Sequence, residues 1–528
     1  MKRTLCLLLV MVMLLLAACG SEDGGNTSTG LSGETVNSTE ESSNESAVPD
    51  DSIIVPDISG MSAENAEKAL KDAGFTVKVK KKPNDDVPKG EVIEIDLKAG
   101  DAYEKGTRVW LYVSTGKSLA GSSLEYKQSA LVENRPVLEA GANSDYVPLN
   151  YEVMKACWMS QYDMSDIYSD GSMQRDEADF REKVANIFAT LQNKGINTVI
   201  VQLRPNGDSF YPSAYYCPSK YVTGSYAIDF KYDPLAIMIE EAHKVGLSFH
   251  GWINPFRCMN TGDVDIINIS YGVRKLAEES MGDAIIKNTD GLFWLNPASE
   301  DVRKLVVDGA TEIVRYYDVD GIHMDDYFYP YNLTDNFDSV SFKKQTEFKS
   351  LDSYRFNAIN TLVSSLYAGV KAENSKVIFG ISPAGNPSVA GAVYVDYLTW
   401  LSNTGYVDYI MPQLYWGTRG NISFTKMFDR WESFITVPEI RLIPGMDLNN
   451  AAKGYAGEAD SSEWNSSRTV LKNCMEYAIS SGKCDGYSLF SLATIISPSS
   501  CEDCKPTTEE LSNLFGLVNS MSNETIKY

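Results

Sequence analysis

Between residues 151 and 528 the chain repeats one unit about eight times: a short apolar run with strand character, then a longer run with helical spacing. The strand-like runs fall at 155–160, 197–204, 247–254, 319–325, 376–382, 407–415, 441–446 and 486–491. Helical spacing runs from Phe180 to Lys194, Pro234 to Val245, Glu300 to Tyr317 and Arg355 to Lys371, while Gly195, Gly246 and Gly321 mark returns to strand. Strand–helix alternation of this kind implies a parallel sheet covered by helices. Eight such units fit a (β/α)8 TIM barrel over 151–528. The alternative is an open doubly wound sheet, but no Gly-x-Gly-x-x-Gly follows the first strand.

The residues before the barrel divide by composition. Lys2 and Arg3 precede an apolar run from Leu7 to Leu16, and Leu16-Ala17-Ala18-Cys19 closes it, so 1–19 reads as a signal peptide. The run is too short for a comfortable transmembrane helix. Small residues before a cysteine resemble the lipobox of bacterial lipoproteins, which implies acylation of Cys19 and a lipid-anchored protein on the extracytoplasmic face of the cell membrane. Residues 20–51, rich in Ser, Gly, Asn, Glu and Thr, bury too little to fold and read as a disordered tether.

Residues 52–116 carry one helical run, Ala63 to Ala73, and three alternating runs around Phe75 to Val79, Val92 to Ile95 and Val109 to Val113, with Gly-containing turns between them. One helix on three strands is a complete small α+β domain. Val55-Pro56-Asp57-Ile58-Ser59-Gly60-Met61 and the Lys98-Ala99-Gly100 turn resemble a PASTA domain, apart from Leu97 where that family usually has proline. The resemblance implies contact with peptidoglycan, a plain spacer being the alternative. Residues 117–150 lack periodicity and read as a linker.

Active sites of such barrels are built at the C-terminal ends of the strands. The fourth strand ends Gly321-Ile322-His323-Met324-Asp325-Asp326-Tyr327-Phe328-Tyr329. Alternation sets His323 and Asp325 on one face and Ile322, Met324 and Asp326 on the other. The apolar pair belongs under the helices, which turns His323 and Asp325 inward, where a carboxylate is costly unless the site is open, hydrogen-bonded or functional. Other strand ends add Arg204 beside Gln202, then His250, Trp252 and Asn254, then Asn386, and finally Gln413, Tyr415 and Trp416. Aromatic rings beside amides and a carboxylate suit carbohydrate, whose C–H faces stack while its hydroxyls take directional hydrogen bonds.

Leu203-Arg204-Pro205-Asn206-Gly207-Asp208, Trp252-Ile253-Asn254-Pro255-Phe256-Arg257, Trp294-Leu295-Asn296-Pro297, the fourth-strand segment and Met411-Pro412-Gln413-Leu414-Tyr415-Trp416 together resemble the glycosyl hydrolase-like 10 family. The resemblance spans about 153–500 and implies a glycoside hydrolase acting on peptidoglycan glycan strands. Arg204, His250, Trp252, Asn254, Asn296, His323, Tyr327, Tyr329, Asn386, Gln413, Tyr415 and Trp416 are then the expected substrate contacts. Glycoside hydrolysis generally uses two carboxyl groups. Asp325 is the expected nucleophile or stabiliser and Asp326 the adjacent second carboxyl, although neighbours on an extended strand point apart. Asp447 and Asp208 are further candidates, each also readable as a turn residue. Asp320-Gly321 with Asp325 resembles the chitinase-like motif as well, but Tyr327 stands where that motif needs its acid. A non-catalytic wall-binding protein on the same scaffold is the competing reading.

A formal charge of -24 argues against nucleic acid as a partner. Only three histidines are present and no His-x-His opens the first strand, so no metal and no cofactor is expected. Cys501 and Cys504 admit a local disulfide, a redox pair or half a metal site; without a second pair at metal spacing, a local structural role is favoured.

Overall fold

The computed structural model describes residues 52–114 and 129–528, except 83, 85, 89, 171–172, 265–266, 268–270, 280–283, 288–291, 326–327, 332, 335–336, 452–461 and 497–504. The signal peptide with Cys19, the 20–51 tether and the Cys501–Cys504 pair therefore lie outside the described residues. The chain divides into two compact units, with the boundary between Thr115 and Gly116.

The larger unit is a barrel of eight parallel strands: β1 Met154–Met159, β2 Thr198–Arg204, β3 Ser248–Ile253, β4 Gly321–Asp325, β5 Ile378–Ser382, β6 Tyr409–Ile410, β7 Arg441–Leu442 resuming at Gly445–Asp447, and β8 Gly486–Phe490. Each pairs in parallel with the next, and β8 pairs back onto β1. Closure passes through the gap in β7: Ile443 N–H donates to the Ile410 carbonyl on one side, and Ser488 N–H donates to the Pro444 carbonyl on the other, both at 3.0 Å. Proline interrupts the ladder twice, because it has no N–H to donate. Pro444 splits β7, and Pro412 cuts β6 short of the expected 407–415, leaving two isolated parallel bridges at Gln413, to Ala384 and to Gly445.

Alternation along each strand makes two apolar compartments. Cys157, Val199, Phe249, Ile322, Phe379 and Leu489 face the helices, whereas Ala156, Trp158, Ile200, Trp252, Tyr409 and Ile443 fill the barrel. Room for the inner rings comes from missing side chains: a Cβ on Gly380 would lie 2.1 Å from the Tyr409 ring. The covering helices include α1 Glu177–Asn193, α2 Pro234–Lys244, α3 Glu300–Tyr316 and α4 Leu351–Glu373. Asp233, Ser299 and Ser350 cap the last three by accepting first-turn N–H groups.

Residues 129–150, expected to be part of a linker, are instead a strap packed on the barrel. A short helix, Ala130–Glu133, leads into it. Arg135 pairs with buried Glu312 and lies 3.9 Å over the Tyr316 ring. Asn143 donates to the Val314 and Tyr317 carbonyls. At the base, Asp320 accepts from Tyr146 Oη at 2.7 Å, His243 Nε2 at 2.9 Å and the Leu149 and Phe249 amides. Asn150 binds the Asp320 carbonyl and Tyr528 Oη, and the Ile526 N–H donates to Asn150 in turn. Polar anchors rather than an apolar stripe hold this segment, so hydrophobic periodicity does not reveal it.

The smaller unit matches its expected outline. Helix Ala63–Asp72, capped by Ser62, covers a sheet of Thr76–Lys82, Arg108–Ser114 and Val92–Ile95, with Arg108–Ser114 in the centre. An additional antiparallel pair, Ser52–Ile54 with Ala102–Glu104, completes it. Leu70, Phe75, Val109 and Leu111 form its core. On the opposite face, Lys80 Nζ sits 4.0 Å over the Trp110 ring.

Candidate active site

All five residues of β4 are buried. Ile322 and Met324 join the core under the helices, so His323 and Asp325 point inward. Asp325, 6% exposed, ends the strand at the C-terminal mouth of the barrel. Asn254 Nδ2 donates to its Oδ2 at 3.2 Å, and Gln413 Nε2 donates to its Oδ1 at 3.1 Å. Two neutral amide donors, one on each oxygen, offset the loss of hydration and favour the ionised carboxylate. The donors are themselves fixed. Asn254 Oδ1 accepts from Gln202 Nε2 at 2.5 Å, and Gln202 Oε1 accepts from the Gln161 amide at 2.7 Å. Gln413 also donates to the Ser382 carbonyl at 3.2 Å.

A column of hydrogen bonds runs down the barrel beneath this carboxylate. Trp158 Nε1, which can only donate, reaches His323 Nε2 at 3.3 Å, and Ser382 Oγ meets the same nitrogen at 2.9 Å. His323 Nδ1 must then carry the proton and donate to Tyr409 Oη at 2.9 Å. The Tyr409 hydroxyl donates onward to His250 Nδ1 at 3.2 Å, leaving His250 Nε2–H for Asn150 Oδ1 at 3.0 Å. These tautomers are assigned from the network. Burial pushes His250 down to about 3, with Arg441 adding to the effect, and burial aided by His250 holds His323 well below its ordinary value. Both rings are neutral at physiological pH.

Several expected contacts are corrected by this geometry. His250 and His323 are fully buried, so they lie below the rim rather than on it. Arg204 is 2% exposed: a register shift at the end of β2 turns it onto the Tyr216 ring, 4.5 Å away, where it also donates to the Asn254 carbonyl at 3.0 Å. Tyr329 is buried, with its hydroxyl on Asp338 at 3.0 Å beside Arg355. Asn296 is buried in the turn before α3, where it accepts from the Ala298 amide. Asp208, also fully buried, pairs with Cys217 outside the barrel sheet and accepts from the Asn206 amide at 2.8 Å. Burial raises its carboxyl against the opposing pull of its hydrogen bonds.

The remaining expected residues are more varied in position. Gln413, Tyr415 and Trp416 are half-buried on the loop after β6. Trp252 lies within the barrel, edge-on to His323 at 6.5 Å. Asn386 is half-buried and caps the helix Pro387–Ala392. Asp326 and Tyr327 lie outside the described residues. Sequence reasoning overlooked Gln161, Ser382 and Phe490. The Phe490 ring packs against Trp158 at 6.3 Å and Tyr415 at 6.2 Å, and its place at the end of β8 was the available signal. Among the described residues, no group of three or more His, Cys, Asp or Glu is placed to hold a metal ion.

The family model for Glycosyl hydrolase-like 10 matches residues 153–457, more than half of the chain, and the PASTA domain model matches 53–115. The glycosyl hydrolase YngK of Bacillus subtilis is 34% identical over 287 residues, 50% of this chain and 55% of that protein. The glycosyl hydrolase DigH of Escherichia coli K12 is 30% identical over 268 residues, 47% of this chain and 61% of that protein. The chain thus spans little more than half the length of these relatives. The serine/threonine-protein kinase PknB of Mycolicibacterium smegmatis is 39% identical over 66 residues, 12% of this chain and 11% of that protein.

Proposed function

This chain belongs to the Glycosyl hydrolase-like 10 family, and with that as premise we propose that it is a glycoside hydrolase cutting the glycan strands of peptidoglycan. The observation that carries the reading is Asp325: an inward carboxylate at the mouth of a closed barrel, with an amide donor on each oxygen. Held in the ionised form, it can stand against the positive charge that develops at the anomeric carbon as the glycosidic bond breaks. Asn254 and Gln413 fix its direction, and Tyr415 and Trp416 offer rings to the sugar faces. Asp326 follows directly, and its carboxyl reaches the same cleft only if the chain turns after Asp325.

The substrate class is drawn from the N-terminal PASTA domain, a module associated with wall binding. A signal peptide ending in a lipid-modified Cys19, followed by the 20–51 tether, would hold both units outside the cytoplasm. Tethering raises the local concentration of wall glycan without adding a catalytic contact.

A wall-binding protein without catalysis is the second reading. It is favoured by the succession of Asp325 and Asp326, since adjacent side chains on an extended strand diverge. Zymography on purified glycan strands, with and without stem peptides, separates the two. Cleavage by wild type and its loss in Asp325→Asn support the hydrolase; retention on glycan without any cleavage refutes it. Cys19→Ser should release the protein from the membrane fraction.

A further inference from the structure

We infer that Asp447, at the end of β7, is the carboxyl group that exchanges a proton with the leaving oxygen opposite Asp325; this rests on the hydrolase reading above. The direction of Asp447 follows from its strand. A Cβ on Gly445 would lie 2.4 Å from the Trp158 ring, so position 445 faces the barrel interior. Met446 lies in the core under the helices. Asp447, one step further, therefore faces inward again, at the mouth. It is 8% exposed and pairs in register with Phe490, whose ring packs on Trp158 and Tyr415.

The two carboxyl groups have different surroundings. Asp325 receives amide donors on both oxygens. On Asp447, the Asn449 backbone N–H at 2.8 Å and the Asn449 Nδ2 at 2.9 Å converge on the same Oδ1. A donor on each oxygen suits Asp325 to the carboxylate that stays charged, which leaves the proton exchange to the second inward carboxyl group. Asp447 also lies on a different strand from Asp325, with β5 and β6 between them on the shorter arc. The pair can therefore flank a sugar ring.

In the resulting step, the Asp447 proton passes to the glycosidic oxygen as its bond to the anomeric carbon breaks, and the leaving sugar departs as an alcohol. Asp325 faces the positive charge left at that carbon. A water then adds there and gives its proton to one of the two carboxylates, which restores the enzyme's proton count.

The test compares wild type, Asp447→Asn, Asp447→Glu and Asp326→Asn on two substrates: glycan strands, and a dinitrophenyl glycoside of a glycan-strand disaccharide whose leaving group needs no proton. Asparagine keeps the acceptor for Asn449, and glutamate keeps the acid if asparagine impairs folding. Loss of general acid assistance should lower kcat on glycan by about 10²–10⁴-fold. On the dinitrophenyl substrate, bond cleavage should fall far less, and the alkaline limb of the pH profile should flatten. Asp447→Glu should retain that limb at reduced rate. Equal losses on both substrates would mean a structural role and overturn the assignment, as would a leaving-group-dependent loss in Asp326→Asn instead. If wild type cleaves and Asp447→Asn matches it, only this assignment falls. If wild type cleaves neither substrate, the hydrolase reading falls and takes it along.

Discussion

Tyr409→Phe removes a single oxygen from the middle of the barrel's hydrogen-bonded column. That oxygen accepts from His323 Nδ1–H at 2.9 Å and donates to His250 Nδ1 at 3.2 Å. Neither ring can recover by changing tautomer. His323 Nε2 is occupied by the Trp158 donor, and His250 Nε2 must keep its proton for Asn150. Both residues are fully buried, so one donor and one acceptor lose their partner away from solvent. At about 1–3 kcal/mol for each of the two stranded groups, the substitution should cost about 2–6 kcal/mol. The phenylalanine ring fills nearly the same volume, so a cavity term adds little. The assay is urea unfolding of the full chain, following the barrel by tryptophan fluorescence, with Tyr162→Phe as the exposed control. A loss below about 1 kcal/mol would show that another group or a water takes over, and the single proton polarity derived for the column would be wrong.

The clasp under the barrel should be pH-dependent. Burial opposes protonation of His243, but its hydrogen bond and charge interaction with Asp320 prevail and raise it above the ordinary value. A raised histidine gives stability that is fully present below about pH 6.5 and lost as pH rises through the folded-state value; urea midpoints at pH 5.5 and 8.5 should differ in wild type and converge in His243→Gln. Asn254→Ala removes one amide donor from Asp325 and should lower kcat by about 10²-fold with KM little changed, as steady-state kinetics on glycan strands would show. Asp338→Asn leaves buried Arg355 without its charge partner, 2.6 Å away, and should destabilise the barrel by about 3–5 kcal/mol in the same urea assay. Trp110→Ala removes the ring under Lys80 and should lower retention on purified wall by about tenfold if that face makes the contact, while hydrolysis of soluble strands is unchanged.

What the sequence made legible was direction, and what it hid was height. Alternation correctly turned His323 and Asp325 inward, and also His250. It could not say how deep the open mouth reaches: His250, four residues and so about 13 Å below Asn254 at about 3.3 Å per residue, is fully buried. The same blindness placed Tyr329 at the rim, although its hydroxyl serves the buried Arg355–Asp338 pair. Arg204 misled for another reason, because a register shift beside it breaks the alternation that the argument used. The strap escaped notice because its anchors, Arg135, Asn143, Tyr146 and Asn150, are polar and irregularly spaced. The expected strands 407–415 and 441–446 ran through Pro412 and Pro444, the residues at which the ladder breaks.

The manner in which the ring closes bears on how the protein can be shortened. The family match stops at residue 457, whereas β8 spans Gly486–Phe490 and the tail that meets Asn150 runs on to Tyr528. Trimming to the matched region would delete the stave between β7 and β1, leaving two rows of backbone N–H and C=O groups with no neighbour. Such margins recruit strands from other molecules. A shortened version of this kind would precipitate or form mixed oligomers, and its silence in an activity assay would say nothing about the chemistry at the mouth.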